Sequence, residues 1–271
     1  MTSAVPSRIR VEVLGPFAIS VDGRSVVPTA SKPRTVLALL SVRPGRVVPA
    51  ATLIRELWSG CPPASAAATL QTYVFQLRRR LRGAGLSSRL ISTARGGYRL
   101  ELRPEAFDVH EYHALAALGD RAAALGAHED AARLLRDALR LWRGPGALLD
   151  VERGPALEPE AQQLELSRSA LTGRRIDAEL AIGRHAELLG ELAALTVQDR
   201  TNERLCAQQM IALYRSGRRL DALSTFQRLR ADMAAELSVE PGLALQELHR
   251  AVIDSVPALD RFTTPVQLLP R

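Results

Sequence analysis

Residues 62–83 read PPASAAATLQTYVFQLRRRLRG, two prolines and a small-residue run leading into an apolar, then arginine-rich, helical pattern that ends at glycine. At 100° per residue, Leu70, Val74, Leu77 and Leu81 fall within about 60° of arc, which makes them the face packed on the rest of the protein. Opposite lie Ala68, Thr72, Phe75 and Arg79, with Gln76 beside them; Gln71, Arg78 and Arg82 flank one side, and Thr69, Tyr73 and Arg80 the other. The pattern predicts a helix from about Ala64 to Arg82, closed by Gly83 and Gly85.

The flanking sequence gives this helix a context. Ile9, Val11 and Val13 alternate with Arg10, Glu12 and Leu14; Gly15-Pro16 interrupts, Phe17 to Val21 follows, and Asp22-Gly23 turns the chain into Ser25 to Val27. A small antiparallel sheet is expected. Ser31 is positioned to cap a helix that carries Pro33 in its first turn and Val36, Leu37 and Leu40 on one face, until Pro44-Gly45. A second short helix follows Pro49, with Leu53, Ile54, Leu57 and Trp58 as its buried side and Gly60-Cys61-Pro62-Pro63 as its end. Beyond residue 83, Leu90 to Ala94 and Tyr98 to Leu102 flank Arg95-Gly96-Gly97, the pattern of a hairpin with a glycine-rich tip. Sheet, three helices and terminal hairpin make a winged helix-turn-helix.

From Phe107 onward strand signals vanish, and Ala/Leu-rich helical stretches alternate with glycine and proline breakers. Gly183 with Glu187 and Gly217 with Asp221 lie 34 positions apart, the length of a tetratricopeptide helix pair, and Gly126 with Asp130-Ala131 repeats the local pattern. The small residue is expected to let paired helices approach closely. The fold class is therefore mainly α: an N-terminal winged helix-turn-helix with small antiparallel sheets, residues 1–104, an all-helical tetratricopeptide-like domain, 105–255, and a loosely ordered tail, 256–271.

Charge follows the same division. The chain of 271 residues has a formal net charge of +7, but residues 1–105 hold 16 Lys+Arg against 5 Asp+Glu, whereas 106–271 hold 20 against 24. Only the first part is built for a polyanion. Thr72 beside Ala68 permits close approach to DNA, Gln71 and Gln76 offer amides for adenine, and Arg78, Arg79 and Arg82 offer guanidiniums for guanine or phosphate. Thr69 lies at the flank of the same surface. Phe75 wastes apolar area unless something covers it, and a thymine methyl would. An arginine run such as Arg78-Arg79-Arg80 also suits a solvated helix end; its place third in the winged-helix order, followed by Arg95 at the hairpin tip, favours a nucleic-acid role. Arg95 is then placed for a minor groove or a phosphate.

Other chemistries find little support. Cys61 and Cys206 suggest no disulfide framework, and no apolar run approaches the roughly 20 residues that span a bilayer. The first residues, Met-Thr-Ser-Ala-Val-Pro-Ser-Arg, lack the apolar core of a signal peptide, so a cytoplasmic, nucleoid-associated protein is expected. His110, His113, His128, His185 and His249 are too dispersed for a metal site. The single lysine, Lys32, follows no phosphate-binding glycine loop, and no nucleophile elbow or acid/base pair is evident. No cofactor, metal or enzymatic activity is expected.

The chain resembles the Streptomyces antibiotic regulatory protein family, which joins an OmpR-like winged helix to a bacterial transcriptional activator domain. The N-terminal resemblance rests on Leu14-Gly15-Pro16, Asp22-Gly23, Leu57-Trp58, Pro62 to Ala66, Leu70-Gln71-Thr72-Tyr73-Val74 with Leu77-Arg78-Arg79, and Gly97-Tyr98-Arg99-Leu100. The C-terminal one rests on Leu141-Trp142-Arg143-Gly144, Leu180 to His185, Ala212 to Arg218, and Ala235-Glu236-Leu237 followed by Glu240-Pro241-Gly242. It implies an activator that binds direct repeats upstream of promoters, commonly of secondary-metabolite clusters, and recruits the RNA polymerase holoenzyme. The polymerase contact would include the turn Ser59, Gly60, Cys61, Pro62 and Pro63, and self-association on tandem DNA sites is open. Phe75 and Gln76 stand where the family often has Ser then Arg, and Cys61 replaces a residue that is usually acidic or polar. From the residues alone, a helical adaptor with a basic N-terminal domain and a repressor using the same DNA contacts remain alternatives.

Overall fold

The computed structural model describes residues 9–256 and 259; the rest of the segment 256–271, expected above as a loose tail, lies outside the described residues. The chain packs as two compact units. One comprises the residues through Leu115 together with Asp137–Ser169; the other comprises Ala116–Arg136 together with the residues from Ala170 onward.

In the first unit, β1 (Ile9–Glu12), β2 (Ala18–Val21) and β3 (Arg24–Ser25) form an antiparallel sheet in that order, with Val11 opposite Ile19 and the Asp22-Gly23 turn between β2 and β3. The alternation read from the sequence puts Val11, Ile19 and Val21 into the core. Helix α1 (Ser31–Val42) is capped differently from expectation. Its N-cap is Ala30 with no side-chain hydrogen bond, and the Ser31 hydroxyl donates instead to Glu152. It is also buried on more than one face: Leu39 and Ser41 are enclosed along with Val36, Leu37 and Leu40, and the Ser41 hydroxyl is satisfied by the Leu37 carbonyl at 2.8 Å.

A strand that the sequence reading missed, β4 (Val48–Pro49), precedes α2 (Ala50–Trp58). It pairs with β6 (Gly97–Leu100), which pairs in turn with β5 (Ile91–Ala94), so the wing is a three-stranded sheet of order β4-β6-β5. Gly97 is required there, because a Cβ would come within 2.1 Å of the Val48 carbonyl oxygen. Helix α3 (Ala66–Gly83) packs against both α1 and α2.

The remainder of this unit comes from the sequence that follows the wing. Helix α4 (Asp108–Ala124) begins with Asp108, whose carboxylate accepts hydrogen bonds from Val13 N and Leu14 N at 2.9–3.0 Å. Burial raises the Asp108 carboxyl above its ordinary range, against the pull of those N–H groups and of Arg143. The backbone of 143–149 continues the connection, with Arg143 N donating to Leu14 O, Leu148 N to Val13 O and Leu149 N to Gly15 O. Arg34 pairs with Asp150 at 2.8 Å and Arg43 with Glu160 at 2.8 Å. Glu56 corrects the sequence reading of α2: it is 5% exposed, while Ile54 and Trp58 are only half-buried. Its carboxylate accepts from Gly154 N, Ala156 N and Leu157 N at 2.6–3.2 Å, satisfying the free N–H groups where helix α6 (Leu157–Ala181) starts. The compositional boundary between residues 104 and 105 and the division of packing are therefore different properties, since 137–169 packs with the winged helix.

The second unit is helical among its described residues. It contains most of α5 (His128–Arg140), then α7 (His185–Gln198), α8 (Glu203–Arg215), α9 (Arg219–Leu237) and α10 (Leu243–Asp254). A core of Ile176, Leu188, Leu192, Met210, Phe226, Leu248 and their neighbours joins α7 to α10, while Ala131 and Ala132 of α5 pack with Ala178 in a smaller cluster. The 34-residue spacing marks two successive helix pairs, α7–α8 and α9–α10, but not for the reason expected. Gly183 and Gly217 have φ of +81° and +74°, with nothing within 4 Å of an added Cβ. They terminate helices in the left-handed conformation and do not bring helices close.

Candidate nucleic-acid interface

Helix α3 divides as its sequence requires. Leu70, Val74, Leu77 and Leu81 are at most 4% exposed, while Phe75 is 66% exposed. Gln71, Thr72, Gln76, Arg79 and Arg82 are exposed with it, and Thr69 and Arg78 are half-buried. The hydroxyls of Thr69 and Thr72 donate to the carbonyls of Ser65 and Ala68, one turn back, leaving their methyl groups and oxygen lone pairs outward.

Arg78 is not a free reader. Its Nε donates to Ile91 O at 2.9 Å, its guanidinium donates to Thr93 Oγ1 at 2.8 Å, and its carbon lies 6.0 Å from the Tyr98 ring centroid. The side chain thus ties α3 to both strands of the β5–β6 hairpin. Between them lies a cleft of about 660 Å³ walled by Phe75, Arg79 and Arg82 on the helix side and by Arg89, Ser92 and Thr93 on the other. Glu101 at its edge accepts from the Ser92 hydroxyl and from Arg99, contacts that hold its carboxyl below the usual range. Its charge is thereby compensated within the protein. Arg95 is exposed at the turn joining β5 to β6.

Among the described residues, the guanidiniums of Arg79, Arg80, Arg82, Arg89 and Arg95 make no hydrogen bond or ion pair, whereas those of Arg34, Arg43, Arg78 and Arg99 do. Five uncompensated positive groups on α3 and the wing are a surface prepared for an external polyanion. Arg89 belongs to this set but carried no sequence signal, since it sits in the 3-10 turn Ser88–Leu90 outside the helical period. Arg80 was legible as a flanking residue and as a member of the Arg78-Arg79-Arg80 run.

The α2–α3 turn is presented separately. Ser59, Gly60, Cys61, Pro62 and Pro63 are all exposed, and Ser59 and Gly60 have φ of +47° and +92°, which reverses the chain sharply after Trp58. Lys32 lies over the Trp58 ring, 4.6 Å from its centroid. No helix among the described residues is long and apolar enough to cross a membrane, and no group of three or more His, Cys, Asp or Glu there could hold a metal ion.

A helix with an oily back, a polar front and a flanking β-hairpin defines a winged helix-turn-helix DNA-binding protein. Two family models match the chain: the C-terminal domain of transcriptional regulatory proteins matches residues 24–100, and the bacterial transcriptional activator domain matches residues 107–253. The chain is 43% identical to the regulatory protein DnrI of Streptomyces peucetius, over 93% of this chain and 95% of DnrI. It is 37% identical to the regulatory protein AfsR of Streptomyces coelicolor, over 93% of this chain but 25% of AfsR. The solved structure of Mycobacterium tuberculosis EmbR in complex with a low-affinity phosphopeptide superposes with a TM-score of 0.89 at 34% identity, covering 97% of this chain and 69% of that one. The chain belongs to the Streptomyces antibiotic regulatory protein family, and its function is that of a DNA-binding transcriptional activator.

Proposed function

We propose that the chain binds direct repeats upstream of a promoter of a secondary-metabolite cluster and recruits RNA polymerase there. Gln71, Thr72, Phe75, Gln76 and Arg79 read base edges in the major groove, with Thr69 at the flank. Arg82 and Arg95, joined by Arg80 and Arg89, bind the phosphate backbone or minor groove beside it. Arg78 fixes the angle between α3 and the wing. The turn from Ser59 to Pro63 faces the polymerase, and copies on adjacent repeats associate with one another. The working place of such a protein is the nucleoid, in the cytoplasm, and its role involves no catalysis and no cofactor.

The observation that carries this reading is the polarity of α3, with Phe75 standing in water among guanidiniums that have no partner in the protein. An exposed aromatic ring there is accounted for by a thymine methyl. Footprinting upstream of a transcription start, combined with transcription by purified polymerase, tests it. Protection of repeated sites beside the polymerase footprint, with transcript rising, is expected; protection with falling transcript would make the protein a repressor, and salt-sensitive binding lost to competitor DNA would remove the promoter role.

A further inference from the structure

The second unit carries a groove that the DNA-binding reading does not use. Its walls are α7 and α9 and its floor is α8, and it holds two neighbouring chambers of about 300 and 170 Å³ that share Gln209, Thr225 and Arg228. The larger chamber is at the lower end of the size range of small-molecule sites. Cys206 and Leu229 supply an apolar floor. Burial first, and the Glu203 charge second, push the Cys206 thiol up to about 12 against the pull of Arg228, so the floor is neutral.

The polar groups that converge on this floor are incompletely satisfied. Gln209 is only 9% exposed, yet its amide has one neighbour, the Thr196 hydroxyl at 3.1 Å. That hydroxyl has one proton to give and also has the Leu192 carbonyl at 2.9 Å, so Gln209 keeps at least one amide N–H without a partner. Gln209 Nε2 is not enclosed by the protein, so the donor is available to a molecule in the groove. Thr225 donates to Asp221 O and can still accept. At the mouth, the guanidiniums of Arg228 and Arg200 make no hydrogen bond or ion pair among the described residues. Asp199 and Asp232 line the same chamber, and their charges disfavour a polyphosphate.

We propose that this groove is a binding site for a small amphipathic monoanion, an organic acid whose oxyanion is received by Gln209 Nε2 and Arg228 and whose apolar body lies over Cys206 and Leu229. Arg200 guards the entrance. An acid bound here is desolvated on one side only, which allows the charge-assisted bonds to add to the burial of its ring or chain.

The test uses the full chain without DNA, so that its outcome is independent of promoter recognition. The probe is 1-anilinonaphthalene-8-sulfonate, titrated by fluorescence, with N-phenyl-1-naphthylamine as the same aromatic frame lacking the sulfonate. One saturable site is expected for the sulfonate probe, weakened about tenfold by Arg228→Gln, as the loss of one charge-assisted bond implies. Gln209→Met, which keeps the volume and removes the donor, is expected to weaken it severalfold. Arg250→Gln, an equal change of charge at an exposed residue outside the groove, is expected to leave it unchanged, as are the Arg variants for the uncharged probe. Absence of a saturable site, or equal affinity of the Arg228→Gln and Arg250→Gln proteins, would overturn the proposal.

Discussion

Arginine does two opposite jobs in the two units. Across α3 and the wing, Arg79, Arg80, Arg82, Arg89 and Arg95 point into water with no carboxylate to meet them. In the helical unit the guanidiniums are largely consumed. Arg136 and Arg175 both pair with Glu179, Arg175 also reaches Glu191 at 2.5 Å, Arg204 holds Asp177 at 2.5 Å, and Arg174 pairs with Asp120. The paired arrangement leaves no charge for an external partner, a role that in the helical unit falls to the unpaired Arg200 and Arg228 at the groove. The pairing is architecture, with Arg175, Asp177 and Glu179 all buried. Residue type therefore says less about nucleic-acid binding than whether the protein has already neutralised the residue.

The contrast can be broken at several points. The largest effect is expected from cutting the chain at residue 104. The fragment would lose Asp108, the 143–149 backbone and the helix start capped by Glu56, leaving Val13 and Leu14 N–H groups and the Glu56 carboxylate without partners. Calorimetry of residues 1–104 should show no cooperative transition; a sharp one would mean that the winged helix is independent of 137–169. Next, Glu179→Ala leaves Arg136 without its ion pair and the buried Arg175 with Glu191 as its remaining carboxylate, and should cost about 3 kcal/mol in urea unfolding. A loss below about 1 kcal/mol would show that the network is not structural.

Smaller effects are expected from exposed side chains of either unit. Arg79→Ala should leave the melting temperature unchanged, weaken operator binding about tenfold, and relax the base preference at the position it reads. Replacing operator thymines by uracil should weaken the wild type at one or two positions and leave Phe75→Ala indifferent there; equal losses in both would separate Phe75 from the thymine methyl. The least effect is expected from Glu240→Gln. Its pair with Arg230 is exposed and lies outside any buried network, so unfolding should not change measurably.

Much of the fold was legible because it is periodic. The spacing of Leu70, Val74, Leu77 and Leu81 placed the back of α3, and Arg95-Gly96 marked the hairpin turn. What was not legible is non-local. Glu56 reads as a solvent residue by charge, and only the N-terminus of α6, a hundred positions away, makes its burial tolerable. Strand β4 is two residues long and contains a proline, below the threshold of any alternation. Arg78 looks like its neighbours in an arginine run, yet Thr93 and the Ile91 carbonyl claim it. At the candidate interface, the front and back of the helix were readable from sequence, while the division of arginines into ties and free groups needed the wing in place.

The most direct test tethers an iron–EDTA cleavage reagent to Thr72→Cys in a Cys61→Ser background and maps the cuts on a promoter fragment carrying the repeats. The account predicts strand cuts centred in the major groove of each repeat, and none from the same reagent tethered at Arg250→Cys. Cuts from the second tether and silence from the first would contradict it.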